Sequence, residues 1–168
     1  MQRWRRAQRL TGGERLTDRE IYEQLRGPLM RFASSLVGPD EAADLVSEVM
    51  VATLRRRSLA SLDNPGAYLM KAVLNRSRSR GRRLANQRKV EETNGVAAEV
   101  PDHAEELVLP DLAGTVARLP VQQRAAIYLV YWEGLEPTEA AAVIGVQPGT
   151  LRRYLHLARN QLRRHLDG

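Results

Sequence analysis

TEAAAVIGVQPGTLRRYLHLARNQLRRHL, residues 138–166, is the stretch whose reading decides the fold. A helix pattern of small residues stops at Gly145, the chain turns through Val146-Gln147-Pro148, and an arginine-studded helix follows. Leu151, Leu155, Ala158, Leu162 and Leu166 keep the spacing of a buried helical stripe. Arg152, His156, Arg159 and Arg163 repeat that spacing one residue on and make a basic edge. A charge run on a helix is usually a solvated face, so the preceding element decides between readings. A helix-turn-helix needs a small residue where its helices touch, and Ala141 supplies it. It needs a residue tolerant of positive φ at the turn, which Gly145 provides four residues later. Ile144, Val146 and Leu151 are apolar anchors before, within and after the turn. The second helix then presents Gln147, Thr150, Arg152, Arg153 and His156 around its N-terminal half, the part that enters a major groove. Arginine pairs bidentately with guanine, and threonine near a helix start holds phosphate.

Moving toward the N-terminus, helical patterns cover about 111–118, 121–132 and 137–144 before the final helix at about 148–165. Residues 84–110 break the pattern. They hold six acidic residues against Arg88 and Lys89, with Gly95, Pro101 and Pro110, and read as an acidic linker. Upstream, Thr17-Asp18-Arg19-Glu20 is a capping box that opens a helix. Its apolar stripe is Ile21, Leu25, Leu29, Phe32 and Leu36, and Gly27-Pro28 is expected to kink or divide it. Gly38-Pro39 ends that helix. A second runs from about Asp40 to Arg56, with Ala42, Leu45, Val46, Val49, Met50 and Leu54 facing inward. Asn64-Pro65 starts a third, with asparagine as cap and proline at the first helical position. Beyond Asn75 that helix becomes RSRSRGRR, residues 76–83. Residues 1–16, arginine-rich and followed by Thr-Gly-Gly, read as a disordered basic arm. The expected fold is all-α: two small helical domains, 17–83 and 111–166, joined by the acidic linker.

Composition agrees with that outline. The chain has 168 residues, a net charge of +6, and 24 arginines against 2 lysines. Such a balance points to an anionic partner, and arginine suits phosphate and base edges better than lysine. There is no cysteine, which excludes disulfides and thiolate metal sites and suits a reducing cytoplasm. No apolar run reaches the ~18 residues of a membrane span, and no apolar region follows the N-terminal arginines as in a secretory signal. Enzymatic chemistry has no support: His103, His156 and His165 lack ligand spacing, and no glycine-rich phosphate loop appears. Asp44 and Glu48 stand four apart on a helix but have no third ligand to complete a metal site. No cofactor is expected.

With these residues in view, the sequence resembles a known family. LPVQQRAAIYLVYWEGLEPTEAAAVIGVQPGTLRRYLHLAR, residues 119–159, looks like region four of the extracytoplasmic-function (ECF) sigma factors of bacterial RNA polymerase. GPDEAADLVSEVMVATL, residues 38–54, is similar to the region two signature Asp-x-x-Asp-Leu-Val-x-Glu-x-Phe. LDNPGAYLMKAVLNRSRSRGRR, residues 62–83, is similar to the segment that follows it. The two matches stand in the family's order and cover most of residues 20–166. Departures occur at Ala43, Ser47, Met50 and Ser79, where Glu, Gln, Phe and Asp are usual. Tyr154 and Leu157 stand where the recognition helix commonly has arginine, and Arg153, where serine is frequent, compensates.

The resemblance implies a division of labour. The final helix, with Gln147, Thr150, Arg152, Arg153, His156, Arg159 and Arg163, would read the −35 element as duplex. Loop residues Ser61, Leu62, Asp63 and Asn64 would form a base pocket for the melted −10 element. Tyr68 and Asn75 would face the same strand, and Arg76, Arg78, Arg80, Arg82 and Arg83 would take its phosphates. Glu41, Asp44 and Glu48, an acidic edge at i, i+3, i+7, would with Leu45 meet the basic clamp coiled coil of core polymerase. The partners implied are core RNA polymerase through its clamp and flap, promoter DNA and an anti-sigma factor, with no membrane insertion. The linker would thread the polymerase's positively charged channel. Two rival classes are a stand-alone helix-turn-helix repressor and a polymerase-binding regulator that never reads a promoter. The first leaves the acidic edge and RSRSRGRR unexplained, and the second leaves the basic edge of the last helix unexplained.

Overall fold

The computed structural model describes residues 16–93 and 112–166, with side chains over 16–82 and 114–164. Helix α1 spans Asp18–Val37. Its start is the expected capping box: Thr17 Oγ1 accepts from the Glu20 amide at 3.3 Å, and Glu20 Oε2 accepts from the Thr17 amide at 2.8 Å. Gly27-Pro28 does not divide the helix, which runs unbroken with Pro28 inside. Proline forfeits one backbone bond there, but Ile21, Leu25, Leu29, Phe32 and Leu36 are all buried and hold both halves of α1 to one core. Gly38, at φ +90°, makes the corner, and its amide caps Ser34 O at 2.9 Å.

Helix α2 covers Pro39–Leu54 and buries Ala42, Leu45, Val46, Val49, Met50 and Thr53. Leu54, expected on the inner face, is 47% exposed, because the helix ends there and its last turn passes the edge of the core. A 3-10 turn, Leu59–Ser61, plugs Leu59 into the bundle at 0% exposure. Helix α3 spans Pro65–Thr93, with Asn64 Oδ1 capping the Ala67 amide at 2.9 Å. It therefore continues ten residues past Arg83, into the stretch expected to be linker. LANQRKVEET, residues 84–93, contains good helix formers and no glycine or proline, so nothing stops the helix before Gly95. The arm at 1–15 and linker residues 94–111 lie outside the described residues, as does the side chain of Arg83.

The second half holds α4 (Leu112–Arg118), α5 (Val121–Ile127), α6 (Pro137–Ile144) and α7 (Pro148–Leu166). The helix expected over 121–132 is α-helical only to Ile127 and then widens into a π turn, Tyr128–Trp132, closed by Glu133 N–H donating to Tyr128 O at 3.0 Å. That turn brings the Tyr128 hydroxyl to Glu133 Oε1 at 2.8 Å, with both residues buried. Burial first, and then Glu133, push the Tyr128 phenol well above the ordinary tyrosine range.

The two halves pack on each other. Phe32 of α1 and Tyr128 meet at a ring-centroid distance of 5.3 Å and a tilt of 43°, an aromatic geometry worth about 0.5–1.5 kcal/mol beyond its area. Apolar residues from α1, α2, α3, α5, α6 and α7 join one continuous core.

Candidate nucleic-acid and polymerase interfaces

The turn between α6 and α7 has the geometry its residue types require. Gly145 sits in the left-handed region at φ +78°, ψ +39°, and its amide donates to Ala141 O at 2.9 Å. Val146 N–H reaches the same carbonyl at 3.0 Å. Ala141, Ile144, Leu151, Leu155 and Ala158 are buried where the helices touch. On the opposite side Arg152, Arg153, His156, Arg159 and Arg163 are exposed, with Gln147 exposed and Thr150 half-buried at the helix start. His156 meets the Asn160 amide at 2.9 Å, and Arg159 Nε donates back to Leu155 O at 3.3 Å. The basic edge and the apolar edge of one helix are thus separated as the spacing requires, and all seven expected residues share one end or one face of α7.

The other half presents a loop and a helix. Ser61 and Asp63 are exposed, and Leu62 and Asn64 are half-buried beside them. The loop is anchored by a residue that sequence reasoning took only as part of a cap. Asp18 Oδ1 accepts from Ser58 Oγ at 2.5 Å and from the Ala60 amide at 3.0 Å, tying the start of α1 to the loop. The Ser58 hydroxyl and then the Ala60 amide hold the Asp18 carboxyl below its ordinary range. No sequence signal reveals this, because the partners lie some 40 residues apart. Tyr68 is half-buried, with the Arg57 guanidinium 5.4 Å from its ring centroid. Asn75 is exposed one helical segment on, and both line a groove of about 750 Å³ between α2 and α3.

The arginines of α3 do not form a single row. Arg76 and Arg80 turn toward α2, where Arg76 Nε meets Glu48 Oε2 at 2.6 Å and Arg80 meets Glu48 Oε1 at 2.6 Å. Arg80 also reaches Glu41 Oε2 at 3.3 Å. Arg78 and Arg82, with Arg80 between them, line a groove that faces α5. The expected acidic edge exists, with Glu41 and Asp44 exposed and Glu48 half-exposed, but two of its three carboxylates already hold arginines of the expected DNA strand site. Arg76 first and Arg80 second hold the Glu48 carboxyl below the usual glutamate range. Leu45 does not belong to this edge. It is 0% exposed, because position 45 falls on the buried stripe with Ala42 and Val49.

The fold and these surfaces define a two-part helical protein with a helix-turn-helix in one part and a capped loop-helix in the other. Residues 21–87 match the family described as Sigma-70 region 2, and residues 111–162 match Sigma-70, region 4. The chain is 30% identical over 161 residues to an RNA polymerase sigma-E factor of Streptomyces avermitilis, covering 92% of this chain and 88% of that one. It is 33% identical over 145 residues to the ECF RNA polymerase sigma factor EcfG of Rhodopseudomonas palustris, covering 80% and 76%. Among solved structures, it is similar to the sigma factor RpoE in complex with the anti-sigma factor NepR from Bartonella quintana. That match has a TM-score of 0.66 and 29% identity, and covers 89% of this chain and 96% of that one. CnrH, solved in complex with the cytosolic domain of CnrY, shares the fold at a TM-score of 0.59 and 23% identity, covering 98% and 95%. The chain belongs to the ECF sigma factors of bacterial RNA polymerase. Proteins of this family direct transcription initiation and carry no catalytic domain of their own. No described helix is long and apolar enough to cross a membrane.

Proposed function

We propose that this sigma factor works in the cytoplasm, reads −35 duplex DNA with α7, and captures the melted −10 strand with the 61–64 loop and the start of α3. The observation that carries this reading is the left-handed Gly145 turn setting a fully exposed basic edge on α7. In the −35 complex Arg152 and Arg153 contact base edges, and Arg159 and Arg163 take phosphate. Glu41, Asp44 and Glu48 meet the basic clamp of core polymerase, α4–α7 meet the flap, and an anti-sigma factor holds the protein inactive. The functional units are 17–83 and 111–166, joined by the acidic linker 84–110, whose first ten residues extend α3.

The packed halves bear on this mechanism. Asn64, Tyr68 and Lys71 face Glu139, Ala142 and Val143 of α6 across a cavity of about 290 Å³. The proposed −10 surface therefore lies against the helix-turn-helix. Promoter elements roughly 25 base pairs apart are separated by roughly 85 Å of duplex at ~3.4 Å per step, so the halves must part before both are read. Transcription with purified core polymerase on a matched promoter library tests the reading. It predicts initiation from a defined −35/−10 pair that is lost in the Arg152→Ala/Arg153→Ala variant. A repressor predicts operator binding with no initiation.

A further inference from the structure

The groove where α3 faces α5 lies apart from the 61–64 loop and from α7, and it is lined in part by Arg78 and Arg82, two of the arginines expected to take −10 phosphates. It encloses about 500 Å³, a volume typical of small-molecule sites. One wall is apolar, with Leu36 and Val37 at the end of α1 and Val121 at the start of α5. The other is cationic, with Arg78 and Arg82 from α3 and Arg124 from α5. Arg124 is the most informative of these residues. Its Nε is buried and has no hydrogen-bond partner among the described residues, and burial pushes the guanidinium pKa down. Arg82 makes only a 3.4 Å contact with the Ser79 hydroxyl. Among the described residues, the ion pairs leave Arg78, Arg82 and Arg124 without a carboxylate. Glu41, the acidic residue on the lining, is bound to Arg80.

A half-buried guanidinium without a counter-ion is unfavourable, and Arg124 and Arg78, both half-buried, line this groove with the exposed Arg82, which favours an anion with several oxygens. Arginine forks match phosphate oxygens in pairs. The apolar wall opposite would give such an anion's organic part a dry surface, which a bare phosphate chain would leave unused. We propose that this groove binds a nucleoside polyphosphate, with its phosphates among Arg78, Arg82 and Arg124 and its base against Val37 and Val121. Because the site takes residues from both halves, the bound nucleotide fastens them together. Nucleotide bound there would oppose the parting of the halves that promoter reading requires, and its binding is measured on the free chain without DNA or polymerase.

Calorimetric titration of the full chain with ATP, GTP and inorganic triphosphate tests the site. Saturable one-to-one binding of a nucleotide is expected, tighter than that of inorganic triphosphate. Arg78→Ala/Arg82→Ala should weaken it about tenfold to a hundredfold, as loss of charge-assisted hydrogen bonds does, and Arg124→Gln should do the same. Arg78 is half-buried and Arg82 exposed on α3, so their double variant carries the test even if Arg124→Gln fails to fold. Arg152→Ala/Arg153→Ala, on the far helix, should leave nucleotide binding unchanged. Absence of saturable binding at millimolar nucleotide overturns the proposal, as does equal weakening by the Arg152/Arg153 control. Triphosphate binding as tight as nucleotide overturns the nucleoside assignment. A single-stranded oligonucleotide that needs Arg78 and Arg82 where nucleotide does not bind makes the groove a nucleic-acid surface instead.

Discussion

Glu48 lies on the edge proposed to meet polymerase, yet Arg76 and Arg80 occupy both its oxygens in the free chain. A basic partner that takes Glu48 would release two cations toward the proposed −10 strand, so polymerase docking would favour strand capture. Glu48→Gln keeps the shape and removes the charge. It is expected to raise the free chain's affinity for single-stranded DNA and to steepen the salt slope by up to ~1.4, the value for two added phosphate contacts. It should also weaken capture of core. A slope identical to that of the unaltered chain would show that Arg76 and Arg80 do not reach DNA. The same pair sets a pH dependence. Because the folded carboxyl titrates below the ordinary glutamate range, its contribution to stability is complete above that range. The contribution is lost as pH falls through the lowered pKa, which carboxylate NMR titration will locate. On α7, Arg152→Ala or Arg153→Ala should each cost ~1–3 kcal/mol on a matched −35 element and relax preference at one position. Arg159→Ala or Arg163→Ala should weaken all sequences alike, which parallel binding curves on matched and scrambled duplexes will separate.

At the scale of elements, the turn before α7 is the most legible part of the chain, because each of its requirements is local. Gly145 at φ +78° is a backbone demand that glycine alone meets cheaply. A Cβ there would stand 3.5 Å from Lys71 Cε, an ordinary contact. Gly145→Ala should therefore lower stability by about 1–2 kcal/mol, the cost of a left-handed L-residue, measurable by urea denaturation. The loop residues 61–64 are expected from the sequence, but the tie from Asp18 to Ser58 and Ala60 that supports them is not. Asp18→Asn should leave α1 capped by Thr17 and Glu20 while loosening the loop. Faster amide exchange at Ala60, with unchanged exchange in the α2 core, is the expected signature. Local reading failed where a distant contact decided the outcome. Pro28 stays helical because residues on both sides of it share a core, and Arg76 and Arg80 turn to α2 because Glu48 waits there. The end of α3 was missed for the opposite reason. Residues 84–93 carry linker-like acidic character, but their helix propensity prevails.

At the scale of the whole molecule, two domains were readable from the sequence, but their packing was not. Phe32 reads as one more residue of the α1 stripe, and nothing in its spacing says that Tyr128, on the far side of the linker, completes its pocket. Probes placed on the exposed faces of α2 and α7 should report one short distance in the free protein. A long one should replace it when core polymerase and promoter are added. A distance unchanged in the open complex would contradict the requirement that the halves part. The Phe32–Tyr128 contact extends one ring further, since Trp132 stacks on Tyr128 at 6.5 Å and 18° while remaining 70% exposed. The sequence has one other tryptophan, Trp4, so Trp4→Phe leaves Trp132 as the sole indole. Its emission is then a built-in optical gauge of closure. Separation of the halves strips Phe32 from Tyr128, loosens the stack beneath the indole, and changes its quantum yield, which a mixing experiment follows with no dye attached.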